Sequence, residues 1–218
     1  MPGRPVPLVT GNYYHIFNRG NDKRIIFTKQ RDYERFKLTF YYYQFSGFKP
    51  RFSRLSKEEF SSFQPSPDKK LVDIICYCLM PNHFHFLVKQ LKENGIRIFI
   101  SQLSNSYTKY FNTKYKHIGA LLQGVFKSVL VETDEQFVHV SRYIHLNPIV
   151  AGITNDLNNY AWSSYNEYIK ETGNICNKTE ILKFFPKENE YKNFIDDRIA
   201  YGQSLELIKH QAIDLDEP

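Results

Sequence analysis

Two histidines separated by one residue follow a long apolar run and a Pro-Asn pair. Residues 71–79 are almost all apolar and predict a buried β-strand, the Pro-Asn pair predicts a turn, and a second strand begins at His83. Side chains two positions apart on a strand point to the same face. His83 and His85 therefore share one face, and the phenylalanines between and after them share the other. The apolar face needs a cover of helices, whereas the histidine face can be left for a ligand.

Two adjacent imidazoles can form half of a metal site, because neutral histidine is a common ligand of divalent ions. The alternative is that His83 and His85 are ordinary strand residues that hydrogen-bond to their neighbours. A His-x-His pattern alone does not separate these two interpretations. His15, on an aromatic segment near the N-terminus, could join the same sheet face.

The composition favours a soluble globular protein with a polyanionic partner. A chain of 218 residues is long enough for one good core with an appended subdomain. The net charge of +6 and the sequence pI of about 9.0 favour nucleic acid as the partner. The 16 tyrosines and 18 phenylalanines could stack on bases or fill an aromatic core.

Cysteine usage and hydropathy predict a cytoplasmic protein. The three cysteines have no Cys-x-x-Cys spacing, so structural disulfides are not expected. No apolar run approaches the roughly 18 residues of a membrane helix, and the first eleven residues lack the apolar segment of a signal peptide. No contact with a membrane is expected.

Periodicity predicts a β-α-β-β-α-β order. Aromatic and apolar residues at helical spacing separate four predicted strands, and a Thr-Asp-Glu start and Pro148 bound the last helix. The predicted strands are 13–20, 71–79, 83–89 and 121–131, and the predicted helices are 31–45, 94–115 and 133–147.

This order is that of an α+β, ferredoxin-like βαββαβ sandwich, in which one antiparallel sheet carries helices on one face. Residues 1–155 form the predicted sandwich domain. Residues 47–70 are a polar insertion loop with a short helical turn at 57–60. Residues 156–218 form a helical C-terminal extension, with short helices expected at 161–165, 178–185, 190–200 and 204–212.

Tyr143 and Asn147 lie one helical turn apart, so they share a face of the last predicted helix. A tyrosine can act as a nucleophile and form a covalent intermediate, and a nearby cation assists because the free phenol has a pKa of about 10. His83, His85 and Asn147 could hold a divalent ion if this helix faces the histidine side of the sheet. The alternatives are that Tyr143 is a core aromatic residue and that Asn147 is a helix cap before Pro148.

The segment 77–85, Tyr-Cys-Leu-Met-Pro-Asn-His-Phe-His, resembles the His-hydrophobic-His (HUH) motif of single-strand DNA transposases. The segment 142–148, Arg-Tyr-Ile-His-Leu-Asn-Pro, followed by Ala-Gly, resembles the single-tyrosine helix of the REP-associated tyrosine transposases, which are domesticated relatives of insertion-sequence transposases. Supporting matches are Asn-Arg-Gly at 18–20, Gln-Gly-Val-Phe-Lys-Ser at 123–128 and Trp-Ser-Ser-Tyr at 162–165. The ordered combination covers roughly residues 13–168.

The resemblance implies a DNA transposase that cleaves and rejoins single-stranded DNA at hairpin-forming sequences with Mg²⁺ or Mn²⁺. Tyr143 would attack the scissile phosphate to give a 5′-phosphotyrosine, and His83 and His85 would bind the metal. Asn147 matches the third ligand, where insertion-sequence members usually carry Gln. The C-terminal extension departs from the compact, dimeric insertion-sequence enzymes, so the resemblance leaves open a monomer or a homodimer.

Six cations are candidates for contacts with DNA phosphates, although each one taken singly fits a solvated surface charge better. They are Arg19, Lys23, Arg24, Lys109, Lys114 and Lys127. The main alternative function is a non-catalytic hairpin DNA- or RNA-binding protein of the same fold. The Lys/Arg-Gly-aromatic-Gly pattern of RNA-recognition modules is absent from the sequence. Replication initiators and relaxases place their tyrosine in different sequence surroundings.

Overall fold

A computed structural model describes residues 7–47, 50–170, 173, 175–187 and 189–197. Its centre is a four-stranded antiparallel sheet with the strand order β2-β3-β1-β4. The strands are β1 (Tyr13–Arg19), β2 (Val72–Met80), β3 (His83–Gln90) and β4 (Lys127–Val131). The predicted ferredoxin-like α+β fold is confirmed.

Two helices cover the apolar face of the sheet. They are α1 (Gln30–Tyr43) and α3 (Gly95–Tyr115), and α2 (Lys57–Ser61) lies in the insertion between α1 and β2. The ring of Phe36 on α1 lies 5.2 Å from that of Phe84, and the ring of Phe99 on α3 lies 5.9 Å from that of Phe86. The apolar side chains that alternate with the histidines of β3 are therefore the ones that these two helices bury.

The helix α4 (Asp134–Val150) packs against β2 and β3. It begins as predicted, because the Thr133 hydroxyl accepts a hydrogen bond from the Gln136 amide at 3.1 Å. The ring of Tyr143 on α4 lies beside His85, so this helix lies over the histidine face, opposite to α1 and α3.

The predicted end of α4 at Asn147 is wrong, because the helix continues through Pro148 to Val150. Pro148 removes the amide that would bond the Ile144 carbonyl. The last turn survives because the Ala151 amide still donates to the Asn147 carbonyl at 2.9 Å, and because Ile149 is buried.

The predicted fourth strand at 121–131 is too long, because β4 spans only its second half. Its first half follows the end of β1 as a loop, in which the Gln123 amide donates to the Arg19 carbonyl at 2.8 Å. Gly124 then adopts φ +48°, a left-handed conformation that glycine accepts readily and that interrupts a strand.

The C-terminal extension begins by covering the outer edge of β2. The Leu79 amide donates to the Trp162 carbonyl at 2.9 Å, and the Ser164 amide donates to the Tyr77 carbonyl at 3.0 Å. Further along the edge, the Asn177 amide donates to the Ile74 carbonyl at 2.8 Å. An edge strand that would otherwise expose unpaired backbone groups is thereby hydrogen-bonded.

The rest of the described extension consists of short helices. They are α5 (Tyr165–Ile169), α6 (Thr179–Leu182) and α7 (Glu190–Asp196). The helix expected at 161–165 is wrong, because this segment hydrogen-bonds to the edge of β2 and α5 begins only at Tyr165. The helices expected at 178–185 and 190–200 are present in part, and the one expected at 204–212 lies outside the described residues. The predicted division at residue 155 stays a prediction, and within the described ranges no helix is long and apolar enough to cross a membrane. The three cysteines are buried free thiols.

Candidate active site

Three histidines meet on one face of the sheet. His83 and His85 project from β3 as the alternation predicted, and His15 joins them from β1. The Nε2 atom of His15 lies 2.9 Å from the Nδ1 atom of His85, and the rings of His83 and His85 lie 4.9 Å apart. The face therefore concentrates imidazole groups within hydrogen-bonding or ring contact of one another.

The neighbour Asn82 fixes the orientation of the His83 ring. Its amide nitrogen donates to the Lys23 carbonyl at 3.3 Å, so its amide oxygen faces the Nδ1 atom of His83 at 2.6 Å. An amide oxygen only accepts, so Nδ1 carries the proton and a neutral His83 has its lone pair on Nε2. Burial, assisted by the charge of Arg19, lowers the pKa of His83 to about 4. His83 is consequently a neutral imidazole near physiological pH.

The Tyr143 ring on α4 reaches the same face. It lies 5.6 Å from the ring of His85 and 5.8 Å from the ring of His15, nearly perpendicular to both. The Tyr143 side chain is 37% exposed, whereas Asn147 on the next turn is only 5% exposed. The Asn147 amide nitrogen donates to the Tyr143 carbonyl at 2.8 Å, which ties this side chain to its own helix. The arrangement places a solvent-accessible phenol next to two imidazoles.

A buried polar network anchors α4 from its other side. His145 is fully buried between the hydroxyls of Ser164 and Tyr191, each at 2.7 Å from one ring nitrogen. The Ser164 hydroxyl also accepts from the Tyr77 amide of β2, at 2.9 Å, and the Tyr191 hydroxyl lies 3.2 Å from that of Ser141. Burial lowers the pKa of His145 to about 3, so this imidazole is neutral. Sequence analysis missed this network, because its members stand far apart in the chain.

Four of the six expected DNA-contacting cations lie near the histidine face. Arg19 stands opposite His83 in the sheet, and its Nε donates to the Gln123 side-chain oxygen at 2.6 Å. Lys127 stands opposite Phe17, which itself stands opposite His85. Lys23 and Arg24 are exposed in the loop after β1. The loop folds back so closely on Gly20 that a Cβ atom at this position would clash with the Arg24 carbonyl oxygen.

The other two cations, Lys109 and Lys114, lie on α3, which covers the opposite face of the sheet. The Lys114 ammonium pairs with the buried carboxylate of Asp32 at 2.5 Å, whereas Lys109 is exposed. Burial opposes ionisation of Asp32, but hydrogen bonds from Lys114, Tyr115 and Tyr110 and from the backbone outweigh it and lower its pKa. The structure does not bring these two lysines to the histidine face.

The tyrosines of α3 that compete with Tyr143 have structural roles. The Tyr107 hydroxyl is buried and donates to the Ile26 carbonyl at 2.6 Å. The Tyr110 hydroxyl donates to the Asp32 carboxylate at 2.9 Å. Both lie on the helix that covers the apolar face, so neither hydroxyl shares the surroundings of the histidines.

Within the described part of the chain, no cluster of three or more His, Cys, Asp or Glu side chains is arranged to hold a metal ion. A divalent ion on the histidine face would thus need ligands of another kind beside His83 and His85. The amide oxygen of Asn147 or water can supply such a ligand, because Mg²⁺ and Mn²⁺ both accept oxygen donors.

Comparisons with known proteins agree with this geometry. The family model of IS200-like transposases matches residues 50–147, a segment that contains both β3 histidines and Tyr143. A solved structure of a REP-associated tyrosine transposase bound to a REP hairpin shares the fold, with a TM-score of 0.55 and 11% sequence identity. The alignment covers 81% of this chain and 94% of that chain. A search of curated proteins found no match.

The chain is thus similar to IS200-like transposases over residues 50–147, which is less than half of its length.

Proposed function

We propose that this protein is a metal-dependent tyrosine transposase that cleaves and rejoins single-stranded DNA at hairpin-forming sequences. The observation that carries the proposal is the position of the Tyr143 ring, 5.6 Å from the ring of His85 and 5.8 Å from that of His15. A nucleophile needs a neighbouring group that accepts its proton or a cation that neutralises the phosphate under attack. Tyr143 is a partly exposed tyrosine placed beside imidazoles.

The reaction is a transesterification at phosphorus. The Tyr143 phenol oxygen attacks the scissile phosphate, its proton leaves to a neighbouring base, and the bond from phosphorus to the 3′ oxygen breaks. The 3′ oxygen gains a proton and becomes a free hydroxyl, while the 5′ phosphate stays on tyrosine. The ester bond is conserved, so attack by a 3′ hydroxyl reverses the step and joins strands without a nucleotide cofactor.

The metal would be Mg²⁺ or Mn²⁺, held by His83, His85 and the Asn147 amide oxygen. His83 suits ligation because Asn82 holds its Nδ1 proton and leaves the Nε2 lone pair for a ligand. A His85 that donates from Nδ1 to His15 likewise carries its lone pair on Nε2. When bound, a divalent ion would neutralise charge on the phosphate as it is attacked. Imidazole ligands favour Mn²⁺, because Mg²⁺ prefers oxygen donors.

The DNA partner is a hairpin with a single-stranded flank. The similar REP-associated transposase was solved with a REP hairpin, and the net charge of +6 suits a polyanion. Arg19, Lys23, Arg24 and Lys127 would contact phosphates around the histidine face. The C-terminal extension favours the REP-associated branch over the compact insertion-sequence enzymes, and the protein would act as a monomer or a homodimer.

Incubation with hairpin-bearing single-stranded DNA and Mn²⁺ tests the proposal. A covalent protein–DNA adduct should form, and mass spectrometry should place the nucleotide on the peptide that contains Tyr143. Binding should favour a hairpin with an unpaired flank over blunt duplex, because base stacking needs unpaired bases. Hairpin binding without an adduct on any hairpin tested would favour the non-catalytic binding protein.

A further inference from the structure

A second basic region lies on the face of the protein opposite to the histidines. A cleft of about 960 Å³ opens between α1, α3 and the segment that follows α1. The inner sides of α1 and α3 pack on the sheet, where Phe36 of α1 and Leu103 of α3 are buried. The cleft lies on the outer sides of the same two helices. The cleft is consequently separated from Tyr143 by the helical layer and by the sheet.

Four cations line this cleft, and none of them has an acidic partner among the residues that the structure describes. They are Arg31 and Arg35 on α1, Arg51 on the following segment and Lys109 on α3. Among the described residues, no ion pair involves any of these four, and no Asp or Glu lines the cleft. A fifth cation, Lys114, is neutralised by Asp32. Cations gathered without counter-charges repel one another, and a polyanion in the cleft would relieve that repulsion.

Arg35 is held in position by aromatic rings. Its guanidinium carbon lies 4.2 Å from the ring centroid of Phe52 and 5.5 Å from that of Tyr110. Its Nε atom is buried and has no hydrogen-bond partner in the described part of the chain. Burial lowers the pKa of Arg35, which still leaves the guanidinium charged. A preoriented guanidinium is suited to a phosphate, because its fork of N–H donors matches two phosphate oxygens.

We propose that this cleft is a second DNA-binding site, which holds a sugar-phosphate segment of the DNA away from the catalytic face. Arg31, Arg35, Arg51 and Lys109 would contact the phosphates. Gln102 and Asn105, which also line the cleft, offer side-chain amides to phosphate or sugar. The proposal rests on the proposed function only for the choice of DNA as the polyanion.

Paired charge reversals test the cleft. The variant Arg31→Glu/Lys109→Glu removes two exposed cleft cations, and Arg97→Glu/Lys57→Glu is the matched control, since both of its positions are exposed and outside the cleft. Binding of a fluorescent DNA hairpin with a single-stranded flank is measured by anisotropy against KCl concentration, without divalent ions. The cleft variant should lower the slope of log affinity against log salt by about 2, because each phosphate contact contributes about one unit. The control should keep the wild-type slope.

An unchanged slope in the cleft variant, or an equal change in the control, would overturn the proposal.

Crosslinking measures the contact between the cleft and DNA directly. The native cysteines are buried, so a cysteine introduced on the surface can be labelled selectively. Asn105→Cys carrying a benzophenone should crosslink to the hairpin, and Ser62→Cys on the exposed end of α2 should not. The absence of a crosslink from residue 105 would also contradict a DNA site. So would loss of the crosslink when adenosine monophosphate is added as a competitor at the same phosphate concentration as the hairpin.

These experiments separate the cleft from the catalytic proposal, because none of them requires cleavage. A protein that forms the Tyr143 adduct but shows no slope change would lose only the second site. A protein that forms no adduct but shows the slope change and the crosslink would keep the cleft as a DNA-binding site.

Discussion

The ring of Tyr143 lies 5.6 Å from the ring of His85, with an angle of 85° between their planes. Tyr143 belongs to α4, and His85 belongs to the second strand of a β-hairpin. A phenol and a candidate metal ligand thus meet across the boundary between a helix and the sheet that it covers.

Removing only the Tyr143 hydroxyl should abolish chemistry and preserve binding. Tyr143→Phe should form covalent adduct more than about 10³-fold more slowly than wild type, because the attacking atom is gone. Its affinity for the hairpin should be unchanged, because the partly exposed ring stays in place. Gel analysis of adduct and anisotropy of binding measure the two effects separately. Tyr41→Phe on α1 is the matched control, and an adduct that persists in Tyr143→Phe would assign the nucleophile elsewhere.

Truncation of the β3 histidines should weaken metal binding. His85→Ala should lower the affinity for Mn²⁺ by at least about tenfold, measured by calorimetry in the absence of DNA. Asn147→Ala should lower it less, because water can replace one oxygen ligand. His139→Ala is the control, since that histidine is exposed on α4 and lies beside Phe194. Equal losses in His85→Ala and Asn147→Ala would show that the amide is a full ligand.

The stability of the protein should fall as the pH drops below 6.5. His145 has a folded-state pKa of about 3 because of burial, below the value of about 6.5 in the unfolded chain. The unfolded state therefore binds this proton first, and the stability that neutral His145 contributes above pH 6.5 is lost progressively between pH 6.5 and pH 3. Between pH 6.5 and pH 5 the loss from His145 is about 2 kcal/mol.

Urea unfolding at several pH values measures this loss. In His145→Gln the free energy of unfolding should fall less steeply over the same interval, because the glutamine does not titrate. His83, whose folded-state pKa is also lowered, contributes to the slope in both proteins. An identical pH slope in the two proteins would contradict the assignment to His145.

Neutralising Asp32 should destabilise the contact between α1 and α3. Its carboxylate is buried and accepts hydrogen bonds from Lys114, Tyr110 and Tyr115 and from two backbone amides. Asp32→Asn should cost about 3 kcal/mol of unfolding free energy, because it leaves the Lys114 cation without its partner. The exposed Asp68→Asn is the control and should leave the midpoint of urea unfolding unchanged. If Asp32→Asn unfolded at the same urea concentration as the control, the buried pair of Asp32 and Lys114 would not be a major contribution to the stability of the protein.

The alternation of β3 was enough to predict the histidine face, because the strand period of two does not depend on the rest of the chain. The start of α4 was also predictable, since Thr133 caps it through a contact three residues away. These local signals predicted the histidine face and the start of α4, whereas the contact between Tyr143 and His85 was only a condition of the metal prediction until the structure showed it.

The remaining features depend on contacts between distant parts of the chain. Pro148 predicts a helix end locally, but the burial of Ile149 carries α4 past it. The burial of His145 depends on Tyr191 and Ser164, which no spacing rule connects to it. Likewise, Arg31 and Lys109 belong to different helices, and only their packing joins them in one cleft.

The outer edge of β2 has a consequence for synthesis of the chain. Its backbone partners are residues 162, 164 and 177, which follow the strand by more than eighty positions. A ribosome that has completed β2 has not yet made these partners, so the nascent strand exposes unpaired amides and carbonyls while the rest of the domain is translated. At about 5–20 residues per second, this interval lasts several seconds. Chaperone binding to the nascent chain should therefore begin when β2 emerges and end when residue 177 has left the exit tunnel.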